Sequence, residues 1–568
     1  MTSPRPRMTD RPPLFPALGA VAMLLLPPGC YSGVGDHHAD SSPQGMSGGD
    51  PEGEDGEDDT GLPPPPEADC LGPDQPRRLN RIELNMVALD VFGVDSQPFD
   101  TLDTPGDATG AKVGFRLGVS EAWVDTYVKA AEVVATEYIN REGLVTQCDA
   151  LGASCARPTL EILANQMLRR PVDTPQMDSL VGIIQTSLDN DLTFEEGLVA
   201  AITALFLSPE FLYIGTHVGS EPGAYTLDDY EIATRLALAL WNSVPDEQLR
   251  AAADAGELLH EEGIRAQVDR MLADPQKGSR FIETWASSYL GLSTLDYLAQ
   301  TVPEGSDLSQ QEWAALVDDM RQQALMTMQY AFEHGDEIET LVEADFVFLN
   351  ERLAEHFGIE GVTGEEIHKV ELPPGSPFGG LMTTGATLVQ NKDLIHRGVS
   401  VLETFMCQTI AAPSDEGTLA RVAEQLESAS TEEELAEIRM NDAACAGCHN
   451  AIDPIGTAFT QFDKQGHFSE VDDNGQPIEI DIEYYGTPLH GPQDVRTLIL
   501  EGDFVSCFAP TVLGPLSNRE MRAYESTDVC ATDDMLATID GTVNLRSIVQ
   551  ASLVSGTFRH RMVDEPPQ

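Results

Sequence analysis

Apolar residues recur every three to four positions through much of this 568-residue chain, and that period decides its fold class. Met177, Leu180, Val181, Ile184 and Leu188 fall on one helical stripe. Thr193 followed by Glu196 reads as a capping box ahead of Leu198, Ile202, Leu205 and Phe206. Residues 159–170 form an amphipathic segment between Pro158 and Pro171, and residues 77–93 carry a mixed helical pattern. Thr226 with Asp229 reads as the start of a helix through Ile232, Leu236, Leu240 and Trp241. Val268, Met271 and Leu272, then Phe281, Trp285 and Tyr289, continue the theme. The aromatic and Met positions on these stripes read as core. The expectation is a mainly α chain without a solenoid or propeller repeat. With 41% hydrophobic residues at this length, more than one compact unit is expected.

The N-terminal stretch reads differently. Arg5, Arg7 and Arg11 precede an apolar run over residues 14–26, followed by Pro27-Pro28-Gly29-Cys30. The run is too short for a membrane-spanning helix. It resembles a bacterial lipoprotein signal, with Leu26 one place out of register. Cleavage after Gly29 would leave Cys30 to carry lipid; ordinary secretion and an uncleaved anchor are the competing readings. Residues 1–29 are thus expected to be a signal peptide. Residues 30–75, acidic over 50–59 and Pro-rich over 63–66, are expected to be a disordered, lipid-anchored tether. The chain as a whole has formal charge −61 and pI near 4.2, which argues against nucleic acid as a partner. That charge is spread along the chain, so a soluble acidic surface explains it better than steering of one partner.

Chemistry is concentrated at Cys445-Ala446-Gly447-Cys448-His449. Two cysteines two residues apart with histidine directly after form the pattern of c-type haem attachment. Each thiol adds across one porphyrin vinyl group, and the imidazole becomes the proximal iron ligand. A small disulfide, a thioredoxin-like pair and half of a zinc site compete. A zinc site would bring a second close pair, and Cys507 and Cys530 are far apart. A thioredoxin-like pair would need a preceding strand, whereas residues 431–440 are Glu-rich and helical in character. Asp453-Pro454-Ile455-Gly456 reads as a turn, with a carbonyl that could accept the His449 ring N–H. Met521 is the first candidate for the distal position, in a loop-like region with Met535; His467, His490, His396 and Met382 follow. Setting aside Cys30 and the motif, six cysteines remain, and the close spacing of Cys148 and Cys155 makes them the first candidate disulfide.

The chain resembles the large extracytoplasmic haem proteins of planctomycetes and myxobacteria, assembled from a series of domains of unknown function. Five stretches carry the resemblance: Arg77-Arg78-Leu79-Asn80-Arg81; Arg169-Arg170-Pro171 with Leu207-Ser208-Pro209-Glu210-Phe211; Tyr230 to Arg235 with Trp241-Asn242-Ser243-Val244-Pro245-Asp246; Arg397-Gly398 with the haem motif, Phe459, Phe462-Asp463 and Gly466; and Leu545-Arg546-Ser547 with Phe558-Arg559-His560-Arg561. The chain departs from the family's pattern at Phe378, where an arginine is expected, and at Gly514-Pro515, where Gly-Arg is expected. The resemblance implies helical modules over 76–150, 151–220 and 221–355. It also implies a c-type cytochrome module over 375–470 with one covalent haem c, and a C-terminal module over 471–568.

The resemblance supplies no substrate. There is no nucleophile elbow, zinc-protease helix, dinucleotide loop or phosphate loop, so catalytic residues stay unknown. His356 and His368 are a weak metal signal. The expected function is single-electron transfer between an unidentified redox donor and acceptor, on a periplasmic or cell-surface protein held to a membrane by lipid. A haem-dependent oxidoreductase with its substrate pocket in the helical modules is the alternative, because a simple carrier needs only about 100 residues. A surface scaffold with structural haem is the third reading.

Overall fold

A computed structural model describes residues 70–71, 77–102, 120–215, 223–410, 432–441, 445–472, 474–519, 521 and 525–563. The expected signal peptide, Cys30 and nearly all of the expected tether lie outside the described residues. The protein is mainly α, with a few two-stranded pairings.

The N-terminal part packs α1 (Arg81–Phe92), α2 (Glu121–Glu142), α3 (Arg157–Met167), α4 (Thr174–Asp189) and α5 (Phe194–Leu207) around one hydrophobic core that runs from Leu79 to Val244. The stripe on α4 faces that core: Met177, Leu180 and Ile184 are buried, and Val181 and Leu188 pack against its edge. The box at α5 is formed. Thr193 Oγ1 accepts from the Glu196 N–H at 3.2 Å, and the Glu196 carboxylate accepts from the Thr193 N–H at 2.8 Å. Two boundaries differ from expectation. Helix α3 stops at Met167 because Arg169 takes a left-handed backbone, φ 60°, before Pro171 is reached. The next helix, α6 (Asp229–Trp241), is capped by Asp228 with Glu231, while Thr226 lies in a strand.

Helix α6 is apolar on nearly every side because two cores meet on it. Leu238 belongs to the first core; Ile232, Leu236, Leu240 and Trp241 belong to a second that extends from Leu227 to Phe558. This larger core contains α7 (Gln310–His334), α8 (Leu394–Phe405), the later helices α11 (Phe504–Leu516) and α13 (Leu545–Val554), and the helix that follows Cys445, described below. Short strands close the chain on itself. β1 (Arg77–Arg78) pairs antiparallel with β2 (Tyr213–Ile214), and β3 (Gly223–Thr226) with β4 (His560–Val563). Disulfides join Cys70 to Cys530, Cys148 to Cys155 and Cys407 to Cys507.

Candidate functional site

Cys445 caps α10 (Ala446–Thr457), and the Cys448 and His449 N–H groups both donate to its carbonyl, at 3.1 and 3.0 Å. Residues three and four apart share a helix face, so Cys448 and His449 each lie within one turn of Cys445. Cys445 is buried and Cys448 exposed, and both stand outside the three disulfides.

The expected turn at Asp453-Pro454-Ile455-Gly456 is helix, with Pro454 inside it. The partner of His449 is correspondingly a side chain rather than a carbonyl. Nδ1 lies 2.8 Å from Asp453 Oδ1. A carboxylate only accepts, so Nδ1 carries a proton, and in the neutral imidazole the lone pair is then on Nε2. Asp453 is fully buried, and its other oxygen accepts from Arg439 Nε at 3.1 Å. Arg439 comes from α9 (Glu432–Asn441), the helix expected over 431–440. It is 5% exposed, and its Nη2 is buried without a hydrogen-bond partner among the described residues. Sequence reasoning missed Arg439 entirely. The i,i+4 spacing of His449 and Asp453 was the available signal for that pair, and Pro454 obscured it by suggesting a turn.

Helix α10 is held against α8 at two points of backbone contact. A Cβ on Gly398 would lie 2.2 Å from the Ile452 carbonyl oxygen, and one on Gly456 2.0 Å from that of Leu394. Both atoms it would meet are backbone and cannot swing away. Gly456→Ala is therefore expected to cost about 3 kcal/mol despite the better helix propensity of alanine, read as a fall in urea midpoint at constant m. Arg397, buried on α8, secures the next segment: it donates to the carbonyls of Phe459 at 2.9 Å, Phe462 at 2.5 Å and Asp463 at 2.5 Å. Burial pulls its pKa down to about 10, which leaves it charged at neutral pH.

The other candidate ligands have separate roles. His396, His467 and His490 each bond a nearby carboxylate, of Asp393, Asp463 and Asp494. Met382 is buried in the larger core. Met521 packs beside Gly514, and Met535 is buried on helix α12 (Ser526–Leu536), not in the loop-like region expected there. His356 meets His467, ring centroids 4.0 Å apart, and its Nε2 lies 2.8 Å from the Gln465 carbonyl oxygen. His368 instead sits exposed on a strand.

His356 lines a cleft of about 1020 Å³ with Glu351, Glu355, Asp307 and Glu312. Burial, and then the neighbouring His467, push the His356 pKa from 6.5 down to about 4. The unfolded chain therefore takes up this proton first. The stabilisation is complete above about pH 6.5 and is lost as pH falls towards 4, by about 3 kcal/mol. His356→Asn is expected to flatten the decline in urea-unfolding free energy between pH 6.5 and 4 by that amount. An unchanged slope would contradict the assignment.

Three stretches match known family models, each described as a protein of unknown function: PSD5 (DUF1595) at residues 155–215, PSD4 (DUF1592) at 227–359 and PSCyt3 (DUF1588) at 378–472. The three names are those of planctomycete cytochrome-associated domains of unknown function. The PSCyt3 stretch contains α8, the Cys445–Cys448–His449 turn and Asp453, together with both glycine contacts between α8 and α10. No match was found among curated proteins or solved structures.

Proposed function

We propose that this protein is an extracytoplasmic c-type cytochrome that holds one covalent haem at Cys445, Cys448 and His449 and passes single electrons, with Cys30 as its lipid anchor. The donor set carries the reading. Six of the described cysteines are joined in three disulfides, while Cys445 and Cys448 share one helical turn with an imidazole whose Nε2 is left as the basic nitrogen. The buried Arg439 Nη2 supplies a cationic donor suited to an anionic group such as a haem propionate. The cytochrome-associated naming of the PSCyt3 match fits the same residues. Bound haem would supply reversible one-electron chemistry at iron.

The chain's own residues define the rest of the mechanism. Cys445 and Cys448 tether the group. His449 presents Nε2, and Asp453 fixes the ring plane and its tautomer. The glycine contacts and Arg397 hold α10 so that this geometry costs little reorganisation when the charge at the site changes. An electron donor and an acceptor are required as partners, and the acidic surface would suit basic ones. The test is an optical spectrum of protein made with haem-maturation machinery. A reduced c-type α-band is expected. No haem would overturn the reading. A high-spin spectrum that shifts with carbon monoxide would replace the electron carrier by a haem-dependent oxidoreductase.

A further inference from the structure

Cations are scarce in this chain, 33 Lys and Arg against 94 Asp and Glu, yet four arginines line one cavity of about 300 Å³. Arg169 and Arg170 follow α3, Arg235 sits on α6 and Arg561 on β4. Two acids, Glu210 and Glu231, also line it, so the formal charge of the lining is +4 − 2 = +2. The walls come from the PSD5 stretch, the PSD4 stretch and the C-terminal part of the chain, and junctions of this kind are where small-molecule sites concentrate.

Arg235 is held by the fold, donating to the Phe558 carbonyl at 2.8 Å, whereas the other three arginines are only partly used by it. Arg169 is 5% exposed, and it donates to the carbonyls of Phe211, at 3.0 Å, and Glu210, which satisfy its N–H groups without cancelling its charge. Arg170 reaches Asp228 at 3.4 Å, and both side chains are about half exposed, so that pair is weak. Arg561 pairs with Glu231 at 2.8 Å, while its Nε is buried with no hydrogen-bond partner among the described residues. Two lining residues, Arg169 and Asn518, hold left-handed backbone at φ 60° and 59°. For arginine that conformation is strained, and strain of this kind collects at sites whose geometry matters more than local stability.

We propose that this cavity binds a small dianionic oxyanion ligand, held by the Arg169, Arg170, Arg235 and Arg561 guanidinium groups. Planar N–H forks match a carboxylate or a tetrahedral phosphate group, and an excess of two positive charges matches a dianion. None of Cys445, Cys448 and His449 lines the cavity, so the inference does not depend on the haem reading.

The experiment is calorimetric titration of the purified full chain with inorganic phosphate, sulfate and succinate, each in chloride buffer at matched ionic strength. Saturable binding of at least one is expected. Preference for phosphate or sulfate would assign a tetrahedral group, and preference for succinate a dicarboxylate. Arg170→Gln, at a half-exposed position that tolerates the change, is expected to weaken binding about tenfold or more, and Arg561→Gln likewise. Arg157→Gln, outside the cavity, should leave it unchanged. Binding of none of the three probes would overturn the proposal. So would affinity that survives Arg170→Gln in a protein with native helical content.

Discussion

Replacing Cys445 and Cys448 together by alanine is expected to reduce covalently retained haem to background. The assay is haem-peroxidase staining after denaturing electrophoresis, with intact mass as a second measure. Either single variant should retain at most one thioether and lose much of the haem during purification. His449→Ala should behave differently, because both tethers remain: the protein stays coloured with an altered spectrum. The three results together distinguish attachment from ligation. The cysteines lie on one turn at the start of α10 and take part in none of the three bridges, so their removal should leave the disulfide pattern unchanged. A full haem complement in the double variant would refute the assignment.

Asp453→Asn carries the second largest expected effect, and it reads out twice. The carboxylate is fully buried between His449 and Arg439, with bonds of 2.8 and 3.1 Å. Asparagine keeps an acceptor for the imidazole but removes the charge that offsets Arg439. Breaking a buried ion pair from one side costs about 3–5 kcal/mol, since the remaining charge is left uncompensated. Apoprotein unfolding in urea measures that loss. The second readout is electronic. A carboxylate on Nδ1–H makes the imidazole a stronger electron donor, which favours the oxidised metal. The midpoint potential of the holoprotein should therefore rise in Asp453→Asn. A stability loss without any shift in potential would reduce Asp453 to a packing role. Asp453→Glu, which restores charge at a longer reach, should recover part of both.

Most of the helical architecture was legible in the sequence because it rests on local signals. The α4 stripe and the Thr193–Glu196 box need only neighbours three or four residues away, and both are present. Errors arose where a long-range contact overrode the local signal. Arg169 ends α3 early because its guanidinium reaches carbonyls at 210 and 211, which no local pattern announces. Pro454 looked like a turn, yet α10 continues through it, anchored on α8 by Gly398 and Gly456. The Cys445–Cys448–His449 pattern was legible because its residues are neighbours in sequence. The ion triad around Asp453 was half legible, since His449 is local to it and Arg439 is not. The arginine cavity could not be read at all: its four guanidinium groups come from positions 169 to 561 and meet only once the chain has folded back on itself.

The bond between Cys70 and Cys530 has a consequence for how the molecule comes apart. With a sequence separation of 460 between them, most of both cores lies on one covalently closed circuit. The circuit itself has no free end from which to fray, whereas α13 and β4 lie beyond it. A protease that cuts one surface loop opens the circuit but frees nothing. Releasing a fragment takes a second cut or a reductant, and after a single cut between Cys407 and Cys507 the reductant must break a further bridge as well. In an oxidising compartment the protein is therefore nicked long before it is divided, and its two halves would be lost or kept together.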